Sequence, residues 1–190
     1  MNRRHLLAPD LEAAFALNEE YLGASRDEFF CHYRKNADLF VGIFANSALV
    51  GICYGMNWDE KPGCVVLKGI ATLQSHWRSG AGSLLIKFFE QQVKKRDKQR
   101  ITLGSAADLK TENFYLKNGY APTNLRASVK TIDLPANYER LGYVFSACRP
   151  EGETINLYVP TAVRDKRLQA KLKDDLGAQE VIFIMEKDLQ

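Results

Sequence analysis

The segment from residue 65 to residue 95 constrains the fold most, because two different apolar patterns meet there across a short loop. Residues 65–73 are rich in aliphatic and β-branched side chains over the length of one strand. In residues 84–93, apolar side chains recur every three or four positions, with charged or amide side chains between them. The loop that joins the two patterns contains Gly80 and Gly82. The sequence therefore predicts a strand, a glycine loop and a helix in succession.

The composition of this loop suits the binding of an anion at the start of the helix. Gly80 and Gly82 lack a Cβ atom, so a ligand can approach the main chain closely. The first N–H groups of a helix have no intrahelical partner, and the helix dipole favours negative charge there. Ser83 adds a hydroxyl group to this set. A Gly-x-Gly sequence at a helix start also serves as a tight connection, so the loop alone leaves both interpretations open.

Two familiar phosphate-binding patterns do not fit the loop. A Walker loop needs four residues between its glycines and then Lys followed by Ser or Thr, and this pattern is absent. A dinucleotide-binding fingerprint needs glycine or alanine three residues after Gly82, where Leu85 stands instead. The loop therefore belongs to neither class.

A second informative segment, Asn113–Tyr120, follows about thirty residues after the loop. It reads NFYLKNGY and places Tyr115 on a short helix predicted from Asp108 to Asn118. Gly119 is a suitable left-handed residue to end that helix. Residues 138–143 repeat the Tyr-x-x-x-Gly-Tyr pattern, but the spacing from the glycine loop favours Tyr115.

Together, in this order and at this spacing, the two segments resemble the GNAT acyltransferases, which use acyl-CoA. The phosphate loop of that family reads Gln/Arg-x-x-Gly-x-Gly/Ala, and Gly80 and Gly82 occupy its glycine positions. The family's later motif, Phe-Tyr-x-x-x-Gly-Phe/Tyr, is matched by residues 114–120. Residues 40–55, with a turn at Asn46-Ser47, resemble the central hairpin of the family. The resemblance covers about residues 3 to 131.

The chain departs from the family pattern at two positions. Trp77 stands where the family has Gln or Arg, and an arginine follows only one step later, at Arg78. In the family this part of the loop contacts the pyrophosphate largely through backbone N–H groups. Asp108 stands where the tyrosine helix usually begins at an asparagine, and Asp is also a competent N-cap residue.

The resemblance implies an α/β (α+β) fold, with a mixed, mostly antiparallel sheet flanked by helices and an αβ extension at the C-terminus. It also implies an N-acetyltransferase that moves an acetyl group from acetyl-CoA, a co-substrate, to a primary amine by direct attack. Tyr115 would be the catalytic acid that protonates the departing thiolate, and a backbone N–H near Leu73 would polarise the thioester carbonyl. The residues expected to bind the cofactor are Leu73, Arg78, Ser79, Gly80, Ala81, Gly82, Ser83 and Asn113.

No residue is identified as the general base. The only charged residue on the predicted strand 65–73 is Lys68, and the nearest acids in sequence, Asp59 and Glu60, fit a solvated turn better. His76 lies beside the loop and is better interpreted as a contact or packing residue. A chain of water molecules is the remaining route for the proton.

A non-catalytic CoA-binding or protein-interaction module on the same fold is the alternative. The departure at Trp77 and the missing base favour it, whereas the two glycines and Tyr115 argue against it. If the chain is an enzyme, its acceptor is a small-molecule or peptide amine that the sequence does not identify. The segment Leu134–Tyr158 would either wall the acceptor site or form a homodimer contact.

Composition fits one domain over residues 1–190, with a core at about 3–131 and C-terminal strands and a helix at about 132–190. Apolar residues make up 46% of the chain, and the net charge of +3 does not favour nucleic acid as a partner. The four cysteines are scattered, as in a reduced, cytoplasmic protein, and the histidines lack metal-ligand spacing. No run of eighteen apolar residues predicts a membrane span, and no metal is expected.

Other elements are predicted from periodicity and from turn residues. The first helix should begin at a cap on Asp10 and end near Gly23. The other predicted elements are a helix at Asp27–Arg34, strands at Leu125–Ile132, Tyr143–Ala147 and Thr154–Val159, a helix at Arg164–Leu176 and a last strand at Val181–Met185.

Overall fold

The structure is a computed structural model, and it describes residues 1–189. The chain folds into two compact units. The first contains residues 1–102 together with 188 and 189, and the second contains residues 103–187. The prediction of a single domain stays a prediction.

The first unit holds a five-stranded arrangement in the order β1-β2-β3-β4-β5. Neighbouring strands are antiparallel, except that β4 and β5 are parallel. The last strand, β5, continues past Thr102 into the second unit. The elements are β1 (Asn2–His5), α1 (Leu11–Tyr21), α2 (Arg26–Asn36), β2 (Phe40–Ala45), β3 (Ala48–Asn57), β4 (Cys64–Thr72), α3 (Ala81–Lys95) and β5 (Arg100–Gly104).

Helices cover both faces of the strands in the first unit. Phe29 of α2 is fully buried, and its ring lies edge-on to Tyr54 of β3, 5.2 Å between centroids. The hydroxyl of Tyr54 donates to Asn18 Oδ1 of α1 at 2.8 Å. The next residue, Gly55, faces α3 so closely that a Cβ atom there would lie 2.7 Å from the ring of Phe89. Because successive strand residues point to opposite faces, α1 and α2 lie on one side and α3 on the other.

The second unit holds four strands in the order β9-β6-β8-β7, all paired antiparallel. Its second helix, α5, is capped by the Asp165 carboxylate and ends at Gly177, whose φ is 61°. The elements are α4 (Leu109–Lys117), β6 (Ala121–Lys130), β7 (Ala147–Glu151), β8 (Thr154–Pro160), α5 (Lys166–Leu176) and β9 (Glu180–Asp188).

The predicted α/β class and the mostly antiparallel strand pairing are confirmed, and most predicted elements are found within a few residues of their expected bounds. The strand predicted at Tyr143–Ala147 is wrong, because β7 begins only at Ala147. Residues 143–146 follow a left-handed glycine, Gly142, and the Tyr143 hydroxyl donates to Asp175 of α5 at 2.6 Å. This tertiary contact takes the segment out of the strand pairing that its sequence pattern favours.

Asp10 occupies the expected N-cap position of α1 but makes no side-chain cap hydrogen bond there. Its carboxylate instead accepts from the Leu7 main-chain N–H at 2.7 Å and from the guanidinium of Arg4 at 2.6 Å. The side chain therefore joins β1 to the turn that precedes α1.

Residues 1–189 contain neither a helix fit to span a membrane nor a ready cluster of metal ligands. No helix in this range is long and apolar enough to cross a bilayer. Within the same residues, no group of three or more His, Cys, Asp or Glu side chains is arranged to hold a metal ion.

Candidate functional site

The glycine loop lies between the end of β4 and the start of α3, where the sequence predicts it. Gly80 is the N-cap residue of α3 and has a φ of 84°, in the left-handed region. A Cβ atom at Gly80 would meet nothing within 4 Å, so the need for glycine there is conformational rather than steric. Arg78, two residues earlier, also has a positive φ of 59°. These two left-handed residues turn the chain sharply into α3.

The first turn of α3 contains Ala81, Gly82 and Ser83. The N–H groups of a first helical turn have no intrahelical partner, so they form a ready donor set for an anion. Ser79 precedes this turn; its hydroxyl donates to His76 O at 2.6 Å and accepts from the Ala81 N–H at 3.4 Å. The Ser79 side chain thus holds the loop in shape from within.

Trp77 fixes the loop to the end of β4. Its indole Nε1 donates to the main-chain oxygen of Thr72 at 2.9 Å, and half of the residue remains exposed. The indole ring also meets the ring of Tyr21 edge-on, with 6.3 Å between centroids. At the position where the family has Gln or Arg, this chain therefore has a tryptophan whose side chain is hydrogen bonded to the main chain of β4.

The main-chain N–H of Leu73, a residue expected to lie near the thioester carbonyl, already has an acceptor within the protein. That N–H donates to Val50 O at 2.9 Å. The ring of Tyr21, at the end of α1, reaches the same loop, since it meets the Trp77 indole. A hydrogen bond to the Glu20 carboxylate and partial burial raise the pKa of Tyr21, and the Gln74 N–H opposes this rise. Tyr21 is a site residue that the sequence reasoning missed, because only the fold brings the end of α1 to the end of β4.

The middle of β4 carries a cation instead of a carboxylate. Pairing with β3 steps from Tyr54–Gly69 to Gly55–Leu67, so Lys68 is the extra residue of a β-bulge. Its ammonium lies 3.3 Å from the Glu28 carboxylate of α2, which also lies 3.4 Å from His32 Nε2. Partial burial raises the pKa of Glu28, but Lys68 and His32 outweigh it, so the pKa lies below its ordinary value. Glu28 is another residue that the sequence did not indicate.

Tyr115 lies in the second unit, in the second turn of α4. Asp108 caps this helix, because its carboxylate accepts from the N–H groups of Lys110 and Thr111, each at 2.9 Å. Tyr115 is only 5% exposed, and its ring meets that of Tyr120 edge-on at 5.7 Å between centroids. Gly119 ends the helix with a φ of 85°, as predicted.

Asn113, expected to contact the cofactor, lies exposed on α4. Its Oδ1 accepts a hydrogen bond from Arg164 at 2.6 Å. A guanidinium group has only donors, so the Asn113 atom that faces Arg164 must be the amide oxygen. The amide nitrogen, Nδ2, therefore faces away from Arg164, and it can only donate. The structure thus places Leu73 and residues 78–83 together in the first unit, and Asn113 and Tyr115 together in the second.

The chain resembles known proteins in its fold and in one family pattern. Among curated protein sequences, no significant match was found. Many solved structures share the fold. One is Ard1 from Thermoplasma volcanium, with a TM-score of 0.60, 15% identity, and coverage of 86% of this chain and 98% of that chain.

Two further structural neighbours hold CoA-related ligands. Arabidopsis thaliana Naa50, in complex with the bisubstrate analogue CoA-Ac-MVNAL, has a TM-score of 0.58, 16% identity, and coverage of 83% of this chain and 95% of that chain. N-acetylglutamate synthase from Neisseria gonorrhoeae, complexed with coenzyme A and N-acetyl-glutamate, has a TM-score of 0.58 and 14% identity, over 100% of this chain and 35% of that chain. At these identities the likeness shows the fold.

A match to a protein-family model covers more than half of the chain. Residues 4–120 match the Acetyltransferase (GNAT) family, and this range contains both the glycine loop and the Tyr115 helix. The expected family is thereby confirmed. The chain belongs to the acetyltransferase (GNAT) family of acetyl-CoA-dependent enzymes.

Proposed function

We propose that this protein transfers an acetyl group from acetyl-CoA to a primary amine of a small molecule or a peptide. One observation carries the proposal: a left-handed Gly80 followed by the open first turn of α3, within a chain that matches the family. The N–H groups of residues 81–83 would hold the pyrophosphate of the donor. This geometry supports a phosphate-bearing donor because it combines the main-chain N–H groups of the first helical turn with the positive end of the helix dipole.

The proposed reaction is a direct attack. The amine, in its unprotonated form, forms a bond with the thioester carbonyl carbon, and the carbon–sulfur bond breaks. The CoA thiolate then takes the hydroxyl proton of Tyr115, which acts as general acid. The attacking nitrogen releases its extra proton to water, and the Tyr115 phenolate regains a proton from water, so the enzyme returns to its starting state. Holding donor and acceptor together provides the main rate advantage of such an enzyme.

The ligands of two structural neighbours suggest which class of acceptor to test. Naa50 is bound to an analogue that joins CoA to the peptide MVNAL, and the synthase is bound to N-acetyl-glutamate. We propose a peptide N-terminus or an amino acid as the first acceptors to try. The cationic bulge at Lys68 supports acceptors that carry a carboxylate, although Glu28 already neutralises part of its charge.

Calorimetric titration with acetyl-CoA tests the donor site, with ATP and NAD as controls. Gly82→Glu should weaken binding about a hundredfold, since a carboxylate would face the pyrophosphate in the first turn. Gly82→Ala adds only a methyl group at the same helical position and is the matched control, with an expected loss of about threefold. Equal binding by both variants, or no saturable binding by the unaltered protein, would contradict the proposed donor site.

A non-catalytic role is the second candidate. Trp77 supports it, because the side chain at the Gln/Arg position is bonded to Thr72 O and does not reach outward as those side chains can. Such a protein would bind acetyl-CoA but release no free thiol in the presence of amines.

A further inference from the structure

A buried carboxylate on α4 has no role in the proposed reaction. Glu112 has 0% of its side chain exposed, although acidic side chains are almost never buried without a partner. It lies three residues before Tyr115, so both side chains belong to the same face of the helix. A charge at such a position must be compensated by groups from outside the helix.

Two cations that follow β8 provide this compensation. Lys166, at the start of α5, donates from Nζ to Glu112 Oε1 at 2.7 Å. Arg164 Nη1 lies 3.8 Å from Glu112 Oε2 and donates to Asn113 at 2.6 Å. The ammonium of Lys166 also lies 5.6 Å from the ring centroid of the buried Phe183, a cation–π contact. We call Arg164 and Lys166 the cation clamp.

The clamp acts on a helix that needs external support. With nine residues, α4 is too short to be stable through its own hydrogen bonds. Its other end is held in a similar way, since Lys187 donates to the main-chain oxygen of Asn118 at 2.8 Å. The position of Tyr115 is thus set by ion pairs and hydrogen bonds at both ends of the helix.

We propose that Lys166 is a positioning residue for Tyr115: it holds the buried Glu112 carboxylate and thereby fixes α4 where the phenol delivers its proton. This inference rests on the proposed acid role of Tyr115. It gives the segment after residue 160 a part in the reaction, although this segment lies outside the region that matches the family, residues 4–120.

The test compares Lys166→Met in the unaltered protein and in a Tyr115→Phe background. The probe is acetyl-CoA with the best acceptor from a panel of amino acids, polyamines, aminoglycosides and short peptides. In the unaltered protein, Lys166→Met should lower kcat about tenfold, because a small displacement of a catalytic group is costly. In the Tyr115→Phe background it should lower kcat less than about twofold, since no acid remains to be positioned. The KM for acetyl-CoA should stay nearly constant in both.

Two further variants separate positioning from folding. Lys166→Arg keeps the charge and should retain at least half of kcat, and Lys173→Met removes an exposed charge from the same helix and should change nothing. If Lys166→Met does not fold, the double variant Glu112→Gln/Lys166→Met takes its place in both backgrounds. This variant removes both charges of the buried pair together, so no unpaired charge is left. The thermal unfolding curve of each variant gives its folded fraction at the assay temperature, by which its kcat is corrected.

The possible failures are distinguishable. An equal loss of kcat in both backgrounds, or a loss that disappears after correction for the folded fraction, would overturn the positioning role alone. An unchanged kcat for Tyr115→Phe by itself would overturn the acid role and the positioning role that depends on it.

Discussion

Asp10 shows how a single residue can serve contacts that its sequence position does not reveal. The hydrogen bonds from Arg4 lower the pKa of Asp10, partial burial opposes this, and the Leu7 N–H adds to the lowering. In an unfolded chain an aspartate titrates near pH ~4. A lowered folded-state pKa means that the stabilisation is present above that pH and is lost as the pH falls through the folded value.

Asp10→Asn should therefore destabilise the protein by about 1 kcal/mol at pH 7, since the pair with Arg4 is partly solvated. The difference from the unaltered protein should shrink as the pH falls below the ordinary range of an aspartate, because Asp10 itself then becomes protonated. Urea denaturation at a series of pH values measures both quantities. Glu19→Gln, an exposed change on the neighbouring helix α1, is the control. A destabilisation that is the same at every pH would contradict the ion-pair explanation.

The contact made by the Trp77 side chain could not be predicted from the family pattern. The motif predicts where the loop lies along the chain. The hydrogen bond from the indole to Thr72 O depends on side-chain geometry, which a sequence motif does not specify. Tyr21 and Glu28 were missed for a related reason. They reach the ends and the bulge of β4 from α1 and α2, through contacts between residues far apart in sequence.

Among the elements, α4 is the one whose stability bears most directly on the site. Its cap at Asp108 was predicted, because an Asx or Ser/Thr residue before an apolar run is a local signal. Asp108→Ala should lower the free energy of unfolding by about 1 kcal/mol, because two N–H groups lose their acceptor. Asp108→Asn should cost only a few tenths of that, since an amide oxygen also caps well. Equal losses for Ala and Asn in urea denaturation would show that the cap is not what Asp108 contributes.

The helices and the inner strands could be predicted because their periodic patterns agree with their turn residues. The region from residue 134 to residue 146 could not, because its order comes from tertiary contacts. Tyr143 is held between Asp175 and Lys171 of α5, and its ring lies 6.1 Å from that of Phe145. In the sequence, the alternation of Tyr143 and Phe145 with their neighbours cannot be distinguished from the alternation of a strand.

At the scale of the whole molecule, the chain passes between its two compact units twice, at 102/103 and at 187/188. Both passages fall inside strands, β5 and β9, rather than in linkers. We expect one cooperative unfolding transition in calorimetry, with equal van't Hoff and calorimetric enthalpies, because a strand cannot keep its pairing when half of it unfolds. Two resolved transitions would contradict the single-domain prediction.

Acetyl transfer by this protein is tested first by measuring the free CoA thiol released from acetyl-CoA in the presence of an amine panel. We expect amine-dependent thiol release at neutral pH, with the acetylated amine identified by its mass. Tyr115→Phe should lower kcat about a hundredfold to ten-thousandfold, the range expected when a general acid is lost. Saturable binding of acetyl-CoA without thiol release from any amine would contradict the account and leave the protein as a CoA-binding module.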